Sequence, residues 1–197
     1  MSNLWLIIQI GENIFAFPLR SRGRDVEQTL LARSPQRFSE AELQNFIAMV
    51  RAGDQIGGGV LEQNVRDAQC LVFLKRGSCL TGVAALKNPI PRYRQTIKSN
   101  SGVSVEASDF PFELAYVVVL SSARGQGLSG ELTRAALSAS GGSGVFATAR
   151  TDNAPMHATL EKLGFEKVGS PYASGRRNHQ LQVFVRPAPP SAAADRS

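Results

Sequence analysis

The chain has 197 residues and a formal net charge of +6, with 43% hydrophobic and 19% charged residues. This length and composition exclude an intrinsically disordered chain and allow a core that needs no metal or disulfide. The basic excess favours anionic partners, such as nucleic acid or a phosphorylated small ligand, without choosing among them. No apolar run reaches the roughly 18 residues that cross a bilayer, so no membrane partner is expected.

Regular elements are predicted from the beginning of the chain. Residues 4–10 and 14–17 are turn-bounded apolar runs that predict strands, and residues 24–32 predict a helix that Pro35 ends. Ser39-Glu40-Ala41-Glu42 has the pattern of a capping box. The apolar residues that follow it have helical spacing: Leu43, Phe46, Ile47 and Val50. A helix is therefore expected from the capping box to Gly53.

Both cysteines lie in a predicted hairpin, with strands over 70–74 and 80–86 and a turn at Arg76-Gly77-Ser78. Cys79 is close to the turn and Cys70 is far along the other strand, so the two should not face each other. We expect two free thiols and a reducing, cytoplasmic compartment. Two cysteines and two distant histidines lack the spacing of a metal site, so no metal is expected.

The second half of the chain predicts further strands and helices. A long polar loop is expected over residues 87–109. After it come strands over 112–120, 145–149, 165–168 and 181–185, and helices from Leu128 to Gly141 and from about Asn153 to Leu163. Strands with interposed helices indicate one mixed α/β or α+β domain over residues 1–186. The Pro/Ala-rich tail, residues 187–197, is expected to be disordered.

The most informative segment is a glycine-rich turn, Arg124-Gly125-Gln126-Gly127-Leu128-Ser129-Gly130, between a buried strand and a helix. Free amides and the dipole at a helix N-terminus form an anion site. A P-loop is excluded, because Glu131 and Leu132 stand where Lys and Ser/Thr are required. The G-x-G-x-x-G spacing at 125–130, followed by Asp152, leaves an NAD(P)-binding oxidoreductase as an alternative. Against it, only about 60 residues remain for the rest of a doubly wound sheet.

Two motifs together carry a family resemblance. Arg124 to Ser129 resembles the Arg/Gln-x-x-Gly-x-Gly/Ala loop of the GNAT superfamily of N-acetyltransferases. The segment from Asp152 to Phe165, which ends in Glu-Lys-Leu-Gly-Phe, resembles the second signature of that family. The resemblance covers residues 112 to about 169, but not residues 1–13 or the tail. It implies a single GNAT-like domain with a mixed twisted sheet and helices on both faces, and acetyl-CoA as co-substrate.

The resemblance also implies a cofactor site. Backbone groups of Val117 and Val119 would bind the pantetheine arm, and Asn153 would lie near its thiol end. Backbone amides in the loop would hold the pyrophosphate; they belong to Arg124, Gly125, Gln126, Gly127, Leu128, Ser129 and Gly130. Ser129 stands where Gly or Ala is usual, and tolerance is expected because the contact is made by the backbone.

Acetyl transfer to a primary amine needs a neutral amine and a proton for the departing thiolate. Glu113, which precedes Arg124 by 11 residues, resembles the strand carboxylate of family members in which it serves as the base. Asp109 is the second candidate, and a structural carboxylate is the alternative. Leu160 stands where many members place a tyrosine acid. Tyr172, expected in a loop between the last two strands, is the candidate for the acid in place of that tyrosine. The transfer is expected to be a direct attack without a covalent enzyme intermediate.

The acceptor is not defined by these patterns. An amine on a small molecule or a protein is expected, and a homodimer is left open. The basic clusters, Arg92 to Arg94 with Lys98 and Arg176-Arg177, raise the alternative of an aminoacyl-tRNA, but RNA binding favours interleaved aromatic residues and only Tyr93 qualifies. A non-catalytic CoA- or RNA-binding module is the remaining alternative.

Overall fold

The structure, a computed structural model, describes residues 5–10, 13–18, 27–53, 60–174 and 179–190. The strands in these ranges are β1 (Trp5–Ile10), β2 (Asn13–Pro18), β3 (Gln28–Arg33), β4 (Cys70–Arg76), β5 (Cys79–Lys87), β6 (Phe112–Val119), β7 (Val145–Arg150), β8 (Glu166–Ala173) and β9 (Gln180–Arg186). The helices are α1 (Glu40–Ala52), α2 (Val60–Arg66), α3 (Pro91–Ser101), α4 (Leu128–Ser138) and α5 (Ala154–Lys162).

The chain divides into two compact units. The first comprises residues 1–88 and 114–139, and the second comprises residues 89–113 and 140–197. Strands in the first unit follow the order β2-β1-β3-β4-β5-β6; β1 is parallel to β3, while β1–β2, β3–β4 and β4–β5 are antiparallel. In the second unit, β9 lies between β7 and β8 and is antiparallel to both. The predicted mixed sheet is therefore confirmed.

Helices cover both faces of the sheet in the first unit. The predicted capping box begins α1: the Ser39 hydroxyl accepts from the Glu42 amide, and the Glu42 carboxylate accepts from the Ser39 amide. The apolar stripe of α1 packs with alternate residues of β4 and β5, including Phe73 and Val83. On the opposite face, α4 approaches β5 at Gly82, where an added Cβ would lie 2.9 Å from Leu132. Glycine at this position therefore allows the helix to lie close to the strand.

One prediction in the first unit is corrected, and one helix was missed. The helix expected over residues 24–32 is wrong where the structure describes it, because residues from Gln28 form β3. Its side chains alternate between buried and half-buried, the period of a strand between two neighbours. The short helix α2, which buries Leu61 and Val65, was not predicted.

Two more predictions are corrected in the second unit. The expected polar loop contains α3, with Pro91 in its first turn and only Ile97 and Ser101 fully buried. With so few apolar residues, the hydrophobic periodicity that would predict a helix is weak in this segment. Tyr172 lies in β8 opposite Leu181, not in a loop. The pairing of β8 with β9 shifts register between Val168 and Tyr172, and Gly169 in this stretch has φ 67°. The strand continues beyond the shift, although a glycine at this position is typical of a loop.

The other expectations concern the ends of the chain and the membrane. Residues 187–190 form no helix or strand, and the rest of the predicted disordered tail, 191–197, lies outside the described residues. No helix in the described ranges is long and apolar enough to cross a membrane.

The hairpin register predicts the reactivity of the two thiols. Cys70 pairs with Leu86 and Cys79 pairs with Arg76, so the cysteines do not face each other, and both are free. Cys70 is buried, and burial raises the pKa of its thiol to about 12, whereas Cys79 is exposed. A thiol-specific reagent at pH 8 should therefore modify Cys79 rapidly and Cys70 only after unfolding. Rapid modification of both thiols in the native protein would contradict the register.

Candidate functional site

The glycine loop of the first unit connects β6 to α4. Gly125 and Gly127 have φ values of 76° and 77°, a left-handed conformation that favours glycine. Gly127 is the N-cap of α4, so the loop leads directly into the positive end of the helix dipole. Glycine is favoured at both positions because two left-handed residues lie within three residues of the chain.

The loop presents its backbone to open space. The amides of Gly125, Gln126, Gly127 and Leu128 donate to no backbone carbonyl of the described residues. A Cβ added at Gly125 or Gly127 would meet no atom within 4 Å. Consecutive amides with room above them are suited to a phosphate or pyrophosphate, which accepts several hydrogen bonds at close approach. Four of the amides expected to bind pyrophosphate, those of residues 125–128, are thus available, whereas the amides of Arg124 and Gly130 donate to the Ser121 and Gly127 carbonyls.

The strand before the loop contains a bulge. Tyr116 has φ 57°, and both Ala115 and Tyr116 pack against the same hydrophobic cluster, which strict strand alternation does not allow. Val117 and Val119, the residues predicted to bind the pantetheine arm, are half-buried. The Val119 carbonyl accepts from Nε of Arg124 over 3.3 Å.

A buried polar cluster surrounds Glu113 in the second unit. Glu113 is only 3% exposed. Its Oε1 accepts from the Tyr93 hydroxyl of α3 over 2.9 Å and from the Thr148 hydroxyl of β7 over 3.4 Å. The Tyr93 and Thr148 oxygens are also 3.3 Å apart. Two elements thus fix the orientation of the carboxylate through hydroxyl groups.

The tyrosines of this cluster remain protonated at neutral pH. Burial, and then the Glu113 charge, raises the pKa of Tyr93 well above its usual value. The same two causes, in the same order, raise the pKa of Tyr172 to about 12. The Tyr172 hydroxyl makes no hydrogen bond to another residue of the described ranges. The two predicted catalytic residues therefore interact electrostatically, and Tyr172 retains a proton to donate.

Tyr93 and Thr148 were not predicted as site residues. The sequence placed Tyr93 in a polar loop, as the single aromatic residue of a basic cluster that was considered for RNA binding. A helical reading of residues 91–101 would have placed Tyr93 one turn from the buried Ile97, on the inward face of α3. Thr148 is the one polar position of β7 before its last residue, but no local pattern relates it to Glu113.

Two further predicted positions have structural roles. Asn153 is the N-cap of α5, and its Oδ1 accepts from the Met156 amide over 3.2 Å. Its side-chain nitrogen is left for other partners. Asp109 is exposed in the turn before β6, and its carbonyl would lie 2.0 Å from a Cβ added at Gly144. This turn is therefore held by close backbone packing.

The predicted basic cluster on residues 92–98 is only partly available to a partner. Arg94 donates to the carbonyls of Val105, Phe110 and Pro111, and its guanidinium lies 5.6 Å from the centre of the Phe146 ring. It therefore holds the segment between α3 and β6. Arg92 is exposed, as is Lys98, which pairs with an exposed glutamate over 3.7 Å. Arg176 and Arg177 lie outside the described residues.

Comparison with known proteins identifies one family. A model of the acetyltransferase (GNAT) family matches residues 34–165. The match includes both motifs and Glu113, while Tyr172 lies beyond it. Among curated protein sequences, none matches this chain.

Solved structures similar to this chain share its fold. An N-acyl amino acid synthase, FeeM, from uncultured soil microbes is 13% identical, with a TM-score of 0.64 over 84% of this chain and 93% of that chain. The ribosomal-protein-S18-alanine N-acetyltransferase from Escherichia coli is 12% identical, with a TM-score of 0.60 over 86% and 99%. Arabidopsis thaliana NAA60, in complex with acetyl-CoA, is 16% identical, with a TM-score of 0.59 over 81% and 98%. At these identities the likeness shows the fold alone.

Proposed function

Since the chain belongs to the acetyltransferase (GNAT) family, we propose that it transfers the acetyl group of acetyl-CoA to a primary amine by direct attack. Acetyl-CoA is the co-substrate that the family resemblance implies. The observation that carries the proposal is the glycine loop, whose consecutive amides and open approach fit the pyrophosphate of this co-substrate. A structurally similar protein, NAA60, was solved with acetyl-CoA.

In the proposed binding mode, the open loop amides from Gly125 to Leu128 bind the pyrophosphate, while backbone groups of Val117 and Val119 bind the pantetheine arm. Both valines are half-buried, so part of each residue is accessible to a ligand. Asn153 is proposed near the thiol end. Its Oδ1 already caps α5, so any contact would be made by its side-chain nitrogen.

Glu113 is the proposed general base. It takes the proton of the amine, directly or through one water, as the nitrogen forms a bond to the thioester carbon. The carbon–sulfur bond then breaks and CoA leaves as a thiolate. Its burial and its two hydroxyl donors support this role, because a base must be held in one orientation to accept a proton.

Tyr172 is proposed to act on the departing thiolate, in the place of the missing tyrosine at Leu160. Burial and the Glu113 charge raise its pKa to about 12, above that of an ordinary thiol, so the hydroxyl is suited to donate a hydrogen bond to the thiolate without giving up its proton. We therefore assign Tyr172 the stabilisation of the thiolate, with solvent as the final proton source.

The acceptor is proposed to be an amine on a small molecule or a protein. An aminoacyl-tRNA is less well supported, because Tyr93 and Arg94 are occupied within the fold and do not form an exposed aromatic and basic surface. The oxidoreductase alternative has less support still, since the strands after the glycine motif pair antiparallel, whereas a dinucleotide fold requires parallel ones.

A turnover screen tests the proposed function. The protein is incubated with acetyl-CoA and with amines, peptides or aminoacyl-tRNA, and acetylated products are detected by mass spectrometry. A thiol-specific dye is unsuitable unless Cys79 is replaced, because that exposed thiol also reacts. We expect an acceptor-dependent product whose mass exceeds that of the substrate by one acetyl group less one hydrogen atom. Binding of acetyl-CoA without transfer to any acceptor class would favour the non-catalytic module.

A further inference from the structure

A series of side-chain hydrogen bonds connects the sheet of the first unit to its glycine loop. Arg76, the last residue of β4, donates from Nη2 to Oε1 of Gln126 in the loop. Arg76 also donates from Nε to Oε1 of Gln28 over 3.2 Å, and Gln28 donates from Nε2 to Oε2 of Glu131 over 2.8 Å. Strands β3 and β4 and helix α4 are thus joined to one loop side chain.

Gln28 is at the centre of this series. Gln28 is only 5% exposed, and both ends of its side-chain amide are hydrogen-bonded. The oxygen accepts from the Arg76 guanidinium, and the nitrogen donates to the Glu131 carboxylate. Loss of either bond would leave a buried polar group without its partner, which is costly. The amide therefore has one favoured orientation, and the groups on both sides of it are held together as a network.

Glu131 places a negative charge at the same helix end as the proposed anion site. It lies in the first turn of α4, where a carboxylate interacts well with the helix dipole but repels an anion bound at the same end. Burial raises the pKa of Glu131, and the charges of Arg134 and Arg76 oppose that shift. Arg76 therefore places a positive charge close to both the carboxylate and the loop.

We propose that Arg76, Gln28 and Glu131 form a relay that holds Gln126, and with it the backbone of the glycine loop, in the conformation that receives the pyrophosphate of acetyl-CoA. Arg76 is a positioning residue in this scheme and acts through Gln126, without touching the phosphates. The relay rests on the proposed function, because it takes the loop to be the pyrophosphate site. A loop already held in its bound conformation loses less entropy when the ligand binds.

The relay makes a prediction that a direct phosphate contact does not. If Arg76 acts through Gln126, Arg76→Ala and Gln126→Ala each remove the same bond, and the double variant should be no worse than the more impaired single variant. If Arg76 bound phosphate directly, Gln126→Ala would free the guanidinium and leave affinity unchanged or improved. Gln126 is exposed, so its variant tests the relay even if Arg76→Ala destabilises the fold.

The experiment measures two dissociation constants. That of acetyl-CoA is measured by calorimetry, and that of acetyl-pantetheine, which has no pyrophosphate, is measured by competition with acetyl-CoA. We expect Arg76→Ala and Gln126→Ala each to weaken acetyl-CoA binding about tenfold, with a non-additive double variant and an unchanged constant for acetyl-pantetheine. Arg51→Ala is the matched control, because its guanidinium forms an exposed ion pair with Glu62 over 3.1 Å in the same unit. This control should bind as the wild type does.

Three results would overturn the relay while leaving the proposed function in place. They are unchanged acetyl-CoA affinity in both single variants, a defect in Arg76→Ala without one in Gln126→Ala, and an equal loss for acetyl-pantetheine, which would indicate a general structural effect. Failure of the wild type to bind acetyl-CoA would instead reject the proposed function, and the relay with it.

Discussion

Replacing Glu113 with glutamine should lower the turnover number at neutral pH by at least about tenfold, with acetyl-CoA affinity unchanged. General-base assistance contributes about 10²–10⁴-fold, and glutamine keeps the shape of the side chain and its hydrogen bonds while removing the basicity. The amide oxygen can still accept from Tyr93 and Thr148, the two hydroxyl donors of the carboxylate. Initial rates at saturating acetyl-CoA and acceptor measure the effect.

The pH profile separates this role from a structural one. As pH rises, more of the amine is deprotonated without help, so the defect of Glu113→Gln should shrink. Tyr172 should not confuse this profile, because its pKa of about 12 keeps the hydroxyl protonated up to about pH 10. Glu166→Gln, an exposed carboxylate at the start of β8, is the matched control. A fully active Glu113→Gln with an unchanged profile would place the base elsewhere, with Asp109 or a water chain next.

Replacing Gly127 with glutamate should weaken acetyl-CoA binding by at least about a hundredfold. The new carboxylate would stand at the N-cap of α4, where the pyrophosphate is proposed to approach, and juxtaposed like charges cost several kcal/mol. A Cβ added at Gly127 would meet no atom within 4 Å, so the first side-chain atom brings no clash. The expected loss therefore comes from charge and occupied volume, and calorimetric titration measures it.

Backbone strain needs its own control, because a residue other than glycine at φ 77° costs about 1–2 kcal/mol. Gly102 has φ 76° at the end of α3 and also has open space above it. Gly102→Glu carries the same strain and places its carboxylate at the unfavourable end of a helix dipole, so it should lower the melting temperature at least as much as Gly127→Glu does, yet bind acetyl-CoA as the wild type does. Equal affinities in the two variants would contradict the assignment of the loop.

The elements that could be predicted from the sequence are those defined by neighbouring residues. The capping box at Ser39 and its apolar stripe predicted α1, and its observed start, Glu40, follows directly. The loop at Gly125 and Gly127 was also predictable, because both need a left-handed conformation that few other residues adopt. Local signals of this kind specify a conformation without help from distant parts of the chain.

The elements that could not be predicted depend on distant partners. Strand β3 is polar at Gln28 and Arg33, and it is extended because β1 and β4 pair with it on either side. Helix α3 has a short apolar face because part of its inward surface consists of Tyr93 and Arg94, which bond to Glu113 and to backbone carbonyls. Polar side chains that point inward weaken the hydrophobic period on which such predictions rest.

The candidate site shows the same division. Glu113 could be proposed from its distance to the glycine loop along one strand, but its partners lie on α3 and β7 and are related to it only by folding. The Arg76 relay is further removed, since Gln28 and Glu131 are 103 residues apart in sequence. Tyr172 could be named as a candidate, although the break in pairing at Gly169 concealed that it lies on a strand.

The central claim is that this chain binds acetyl-CoA at its glycine loop, and its most direct test is a calorimetric titration of the wild-type protein. Acetyl-CoA, NADH and NADPH are compared as ligands under one set of conditions, since all three carry a pyrophosphate and only the first carries an acetylated pantetheine arm. We predict saturable binding of acetyl-CoA with one site per chain and no comparable binding of either dinucleotide. Saturable binding of NADH or NADPH without binding of acetyl-CoA would contradict the account.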